Sequence, residues 1–503
     1  MVAHLALALV LAAATEKLPV RAPRAVGMSP ERLATIDRVV RRGITAGGYP
    51  GASVVIGRRG AAVMQKGFGH LGWTASSPDV DPDRTIYDLA SLSKVIGTTT
   101  AAMILYDEGR LDLDAPVSRY LPEFSGGTKD LVTVRHLLTH RSGLPAGREL
   151  WRMTSSPSVA KQIVINTPLY CQPGACYEYS DLGADVLGWV VESVAGLRLD
   201  TFLTERVFKP LGMNDTFYNP PDSVRYRIAP TEVTPPRGYP LKGEVHDENA
   251  FALGGVAGHA GLFSTAADIA VFAQMMLNGG VYDDVRIFSD STVALFTRRT
   301  AGTRALGWDT ADGQGGSGDY LTSSAYGHTG FTGTSIWIDP DRQMFVVFLT
   351  NRVHAARARR PAKVISDVRA DLADAAALSV EDTDQVLNMP ASFRADRADG
   401  WNRAVRRSRS SRRGAKARSS RTATKSAKSA KARGTKSASS KARSARPATK
   451  GRVSAKSAAK PTKAKARPTA SARSLRSGAK VKSASVQRGR TPAKRPSGSA
   501  GGR

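Results

Sequence analysis

The chain reads as a mixed α/β (α+β) fold: one antiparallel sheet built from both ends of a domain, flanked by helices, with a helical subdomain and a disordered basic C-terminal tail. Three observations predict it. Two pairs of short β-rich runs stand far apart in the chain, 52–56 with 61–66 and 334–338 with 344–349. Between them the apolar pattern is mostly helical, which points to one sheet assembled from the two ends. Beyond residue 401 almost no large apolar side chain remains, and such a segment cannot bury enough surface to offset its chain entropy.

Taken in order, the elements begin with an apolar run from Leu5 to Ala14 that ends in Ala12-Ala13-Ala14. It resembles the second half of a secretory signal, although no Lys or Arg precedes it, and residues 1–15 are assigned to such a signal. The chain is therefore expected to be exported, periplasmic or extracellular; a cytoplasmic protein with an apolar N-terminal strand or a misassigned start is the alternative. The run is too short to span a bilayer and no longer one follows, so no transmembrane segment is expected. Ser29 can cap a helix with Pro30 at its first position and Leu33, Ile36, Val40 and Ile44 on one face, ended by Gly47-Gly48. Further helices are expected at 91–108, 133–139, 182–195, 200–207, 265–277 and 362–376, with Gly109, Gly196 and Gly279 where stops belong. The hairpin turns are Gly57-Arg58-Arg59-Gly60 and Asp339-Pro340-Asp341-Arg342. These elements give one domain at 27–375, a linker at 376–400 and the tail at 401–503.

The formal net charge of +30 is not spread evenly. Residues 401–503 hold 33 Lys and Arg and no Asp or Glu, while the first 400 hold 40 basic and 43 acidic residues. The body therefore needs no anionic partner to explain its charge. The tail would bind a polyanion, nucleic acid or an envelope polymer, by counterion release and without sequence selectivity; a solvated appendage without a partner is the other reading. Cys171 and Cys176 flank a Gln-Pro-Gly-Ala turn. They could be bridged in an oxidising compartment or be two small thiols.

The candidate chemistry starts at Asp88-Leu-Ala-Ser-Leu-Ser-Lys94. Ser91 and Lys94 stand three apart at the start of an apolar helix and so share a face. A buried lysine there can have a lowered pKa and take the serine proton, making Ser91 a nucleophile. Ser93 does not share that face. The spacing alone is weak, because Ser158/Lys161, Ser457/Lys460 and Ser477/Lys480 match it too, and Ser91 could simply cap a helix.

Its company decides the matter. Leu89-Ala-Ser-Leu-Ser-Lys94, Leu111-Asp-Leu-Asp-Ala-Pro-Val117, Tyr120-Leu-Pro-Glu-Phe124, Val134-Arg-His-Leu-Leu-Thr-His-Arg-Ser-Gly-Leu144, Pro173-Gly174, Tyr179-Ser-Asp181, Gly261-Leu-Phe-Ser-Thr265 and Gly327-His-Thr-Gly330 follow one another in this order. Over about 27–355 the chain resembles the beta-lactamase-related serine hydrolases, which include class C beta-lactamases, D-alanyl-D-alanine peptidases and carboxylesterases. The resemblance implies that Tyr179 relays protons between nucleophile and leaving group. It puts Asp181 where many members have Asn, although Asp181 also precedes a helix and reads as an N-cap. His328-Thr329-Gly330 takes the place of a Lys-Thr-Gly strand motif whose lysine helps hold a substrate carboxylate. The backbone N–H groups of Ser91 and Phe331 would form the oxyanion hole. Tyr179 as a core aromatic and His328 as a turn histidine are the plainer readings.

A neutral histidine grips a carboxylate less well than a lysine. The substrate expected first is therefore an ester or small amide, then a D-amino-acid peptide or other peptidoglycan-like compound, then a beta-lactam. A polyanion-binding protein with an inactive hydrolase-like scaffold is the rival of another class. No metal or cofactor is implied. Gly67-Phe-Gly-His-Leu-Gly72 is not followed by a helix, so it is not a nucleotide loop. Val245-His-Asp-Glu-Asn249 and Gly254–Gly261 read as loops bordering the cleft rather than metal ligands.

Overall fold

A two-residue turn sets the register of the sheet. Arg59 and Gly60 stand at φ 49° and 80°, the positive pair that matches the twist of a tight hairpin, and they join β1 (Gly51–Arg58) to β2 (Ala61–Gly69). The computed structural model describes residues 17–397 and Trp401, apart from 75, 234, 301, 314–315, 355–361 and 384–386. The signal assignment and the tail beyond Trp401 lie outside the described residues.

Four more strands complete the main sheet: β3 (Asp309–Thr310), β4 (Tyr326–Thr329), β5 (Ser335–Asp339) and β6 (Met344–Thr350). Its order is β2-β1-β6-β5-β4-β3, antiparallel throughout. The central pairing joins the two ends of the domain, with Ala52 opposite Thr350 and Arg58 opposite Met344. The expected antiparallel sheet is thus present.

Alternation of side chains across the strands explains why both faces are buried. Ala52, Val54 and Ile56 of β1 and Met344, Val346 and Phe348 of β6 pack on α1 (Thr35–Thr45) and on a C-terminal helix. Val55 and Phe345, Val347 and Leu349 face a larger core that includes the helical middle of the chain. That middle contains a π-helical segment, Ser93–Thr99, running into α2 (Thr100–Asp107), then α3 (Asp181–Ala195) and α4 (Ala266–Leu277). A small sheet of Tyr87–Asp88, Leu262–Ser264 and Phe217–Tyr218 links the segment before Ser91 to the chain leading into α4.

Two expectations need correction. The helix from Ser29 breaks at Ala34 into Pro30–Leu33 and α1, with Ser29 capping as expected. The stretch expected as a linker, 376–400, packs on the body in part: its first residues, up to Val380, and Phe393 and Ala395 are buried, while Glu381, Asp382 and Thr383 are exposed. The C-terminal helix α5 runs Ala362–Leu378, Phe393 and Ala395 are in the core, and Arg394 pairs with Asp319, Asp371 and Asp374. Trp401 is buried and donates its indole N–H to Asp367 Oδ2 at 2.8 Å, so the packed body reaches at least that residue.

Candidate active site

A strained turn presents Ser91. Ala90 stands at φ 49°, a conformation that costs a non-glycine residue about 1–3 kcal/mol and needs its surroundings to hold it. Asp88 does the holding: Oδ1 accepts the Ala90 N–H at 2.8 Å, and Oδ2 accepts the His246 N–H at 2.7 Å. Ser91 follows, and the wide π-helical winding after it turns Lys94 back toward the hydroxyl; such segments are frequent at functional sites. Ser93 points elsewhere, accepting the Leu262 N–H at 3.0 Å.

Lys94 is 3% exposed and meets three oxygens: Ser91 Oγ at 3.1 Å, the His259 carbonyl at 3.0 Å and Asp181 Oδ1 at 2.7 Å. An ammonium has three N–H groups for these three oxygens. Burial alone pushes the Lys94 pKa down, but Asp181 and the Tyr179 phenol more than offset it and hold the proton firmly on the amine. The expected lowering is therefore overturned for the resting site, because sequence spacing did not reveal the paired carboxylate. Asp181 is also not the N-cap. Ser180 takes that place, its Oγ accepting the Gly183 N–H at 3.0 Å, which frees Asp181 to face Lys94.

Tyr179 lies with its ring centroid 5.0 Å from Lys94 Nζ. His140 orients it: the two ring centroids are 4.6 Å apart, and His140 Nδ1 accepts the Ser180 N–H at 3.1 Å. Burial, then Arg304 and Lys94, push the His140 pKa well down, which keeps its Nδ1 an acceptor. Cys171 and Cys176 are bonded to each other just before this segment, which selects the bridged reading.

The strand motif closes the other side. Gly330 packs so tightly on the serine turn that an added Cβ would lie 2.4 Å from the Leu89 carbonyl oxygen. Thr332 Oγ1 donates to the Asp88 carbonyl at 2.7 Å and Thr334 Oγ1 to that of Leu89 at 2.9 Å, which ties the turn that holds Phe331 to the chain just before Ser91; both residues line one cleft. His328 on β4 is buried, its pKa pushed down to about 4 mainly by desolvation, and its Nε2 has no hydrogen-bond partner among the described residues.

A cleft of about 460 Å³ opens over these groups, with Ser91, Tyr179, Thr329 and Phe331 on its walls. A family model described as Beta-lactamase matches residues 36–369. The chain belongs to the beta-lactamase family. Its curated relatives include "Putative D-alanyl-D-alanine carboxypeptidase" of Salmonella agona (strain SL483) and its counterpart in Salmonella schwarzengrund (strain CVM19633), each 36% identical over 375 residues, or 67% of this chain and 87% of the relative. Among solved structures, EstCE1, a hydrolase with promiscuous acyltransferase activity, superposes with a TM-score of 0.57 at 24% identity, covering 69% of this chain and 99% of that one. A penicillin-binding protein homologue from Caulobacter crescentus gives 0.56 at 24%, covering 70% and 99%. They share the beta-lactamase fold with this chain, which is a serine hydrolase of that family.

In this member of the family, the structure brings Ser91, Tyr179 and the 328–331 strand end to one cleft, with Lys94 in contact with Ser91 and Asp181 in contact with Lys94. Sequence reasoning missed four further groups. Arg304, Arg352 and Arg369 line the cleft, where only a neutral histidine was expected. His259 sits behind Lys94, in a segment read as a bordering loop. None of the four had a motif spacing to find it by; Arg369 lies on α5, far along the chain from Ser91. Among the described residues no group of side chains is arranged to hold a metal ion.

Proposed function

We propose that the enzyme cleaves an ester or amide whose acyl donor carries a free carboxylate next to the scissile bond, as a D-alanyl-D-alanine terminus does. One observation carries this reading. Arg369 is buried in the cleft wall with no carboxylate partner among the described residues, its Nε unpartnered, its pKa lowered to about 9 by burial and by Arg352 beside it. A buried cation without a counter-ion is costly, and an incoming carboxylate would relieve that cost. The names of the Salmonella relatives agree with it. This reverses the order expected from His328 alone, which put simple esters first.

In the proposed reaction, the Lys94 proton passes to Asp181 across their 2.7 Å contact as substrate excludes water, leaving an amine lone pair toward Ser91 Oγ. Ser91 Oγ then bonds to the substrate carbonyl carbon as its proton moves to Lys94, while the Ser91 and Phe331 N–H groups receive the oxyanion. Collapse breaks the scissile bond, Tyr179 gives its phenol proton to the leaving group, and the proton that Lys94 took from Ser91 replaces it on the phenol. Water repeats the sequence and releases the acid.

A charge-assisted hydrogen bond contributes about 1.5–3 kcal/mol, or roughly 10–100-fold in kcat/KM. A peptide ending in D-alanyl-D-alanine should therefore be hydrolysed that much faster than the same peptide with a C-terminal amide. Equal rates on the two would overturn the carboxylate reading and restore the simple esterase.

A further inference from the structure

A second charged cluster lies behind Lys94, and the catalytic steps above do not use it. His259 is 2% exposed, with both ring nitrogens engaged: Nδ1 meets Asp185 Oδ1 at 2.7 Å and Nε2 meets Asp247 Oδ1 at 3.0 Å. Asp185 stands four residues after Asp181 on α3, so both carboxylates project from one helix face. Asp247 caps the helix Glu248–Ala252, accepting the N–H groups of Asn249 and Ala250 at 2.9 Å. One histidine thus ties the Val245–Asn249 and Gly254–Gly261 segments to α3.

The same short stretch is stitched to the π-helical turn that carries Lys94. The Gly258 carbonyl accepts the Thr98 hydroxyl at 2.7 Å, the His259 carbonyl accepts Lys94 Nζ at 3.0 Å, and the Leu262 N–H reaches Ser93 Oγ at 3.0 Å. Gly258 lies flat on α3, where an added Cβ would sit 2.0 Å from the Ala184 carbonyl oxygen. The loop has little room to shift, so the histidine ring and the lysine carbonyl partner move together or not at all.

We propose that His259 is a positioning residue for catalysis: held between Asp185 and Asp247, it fixes the carbonyl that takes one Lys94 N–H and places a positive charge behind the Lys94–Asp181 pair. This rests on the Ser91 and Lys94 reading. The charge assignment is consistent with the surroundings, since Asp185, Asp247 and Asp181 together lift the His259 pKa well above its usual value against the effect of burial. The charged and titratable groups facing Lys94 are Asp181, Tyr179, Asp185, His140 and His328, and Arg304 lies 5.9 Å from the Tyr179 ring centroid. Those facing His259 are Asp185, Asp247 and Asp181.

The two partners make opposite predictions. Removing the positive charge in His259→Gln leaves the carboxylates unbalanced and raises the proton affinity of the Lys94–Asp181 pair. Removing a negative charge in Asp185→Asn or Asp247→Asn lowers it. The experiment measures the pH dependence of Ser91 acylation by a fluorophosphonate, which does not depend on the natural substrate. The acid limb should move up by about one unit in His259→Gln and down by about one unit in each Asp variant. A merely structural role would slow acylation in all three without moving the limb, and that result overturns the proposal. Should His259→Gln fail to fold, the two Asp variants still have to shift downward together. If the wild-type serine takes no label at all, the Ser91 reading falls and this inference falls with it; a labelled wild type with unmoved limbs sinks this inference alone.

Discussion

His328 shows how one residue in a motif changes meaning with its surroundings. Where it stands, burial drives the ring toward neutrality, with its pKa down to about 4, so it adds shape and not charge to the cleft. The positive charge comes instead from arginines on other elements. The same burial makes His328 a liability in acid. An unfolded histidine takes a proton near its ordinary value of about 6.5, whereas the folded one refuses it until about 4, so the unfolded state binds more protons in between and stability falls as pH drops through that window. His140 has the same sign. His259 has the opposite one, its contribution being complete below about 6.5 and lost as pH rises through its raised value. His328→Asn should therefore lose less stability than wild type between pH 7.5 and 4.5, read from urea midpoints; an unchanged difference would mean that His328 is not buried neutral. Lys161 makes the converse point about spacing. It follows Ser158 by three, as Lys94 follows Ser91, but it lies on a surface helix where it pairs with Glu123 at 3.3 Å and covers the Trp189 ring.

At the level of elements, the site is a junction between a turn, a helix start and a strand end. Each was legible for a different reason. The hairpin β1–β2 and the strands β5 and β6 showed as short apolar runs around turn residues, and the helices as periodic ones with glycine stops, so their bounds were close. The short strand β3 carries too few residues to show a period, and the π-helical winding leaves no mark in the apolar pattern. Side-chain pairings between distant elements could not be read at all: nothing in Asp181, Asp185, Asp247 and His259 as separate letters says that they meet. Gly330 is where the strand end and the serine turn touch. Gly330→Ala would press a methyl carbon into the Leu89 carbonyl and push Phe331 away from Ser91. Loss of one oxyanion donor costs about 10²–10³ in kcat, so turnover of p-nitrophenyl butyrate should fall by that much while the melting transition stays cooperative. Near-normal turnover would remove Phe331 from the proposed oxyanion site.

For the whole molecule, the charge asymmetry separates two parts with different physics. Residues 401–503 hold 33 basic side chains and no acidic one, whereas the hydrolase body is nearly balanced. The sequence placed the junction at 400, but Trp401 is inserted against α5, since an indole can bury apolar surface that the rest of the tail lacks. A chain ending at Asn402 should therefore keep full ester turnover and lose retention on heparin, whereas wild-type retention should weaken steeply with salt. Turnover lost with the tail would contradict the division of the chain into these two parts. Export of the protein is a separate proposal, resting on the Leu5–Ala14 run, and the Cys171–Cys176 bridge is compatible with it.

The central claim is that Ser91 is the nucleophile and Lys94 its proton partner. Peptide mapping by mass spectrometry after brief exposure to a fluorophosphonate tests it directly. The account predicts one adduct, on Ser91, forming about 10²–10⁴-fold more slowly in Lys94→Met. An adduct on another serine, no adduct on a folded protein, or labelling of Ser91 at an unchanged rate in Lys94→Met would contradict it.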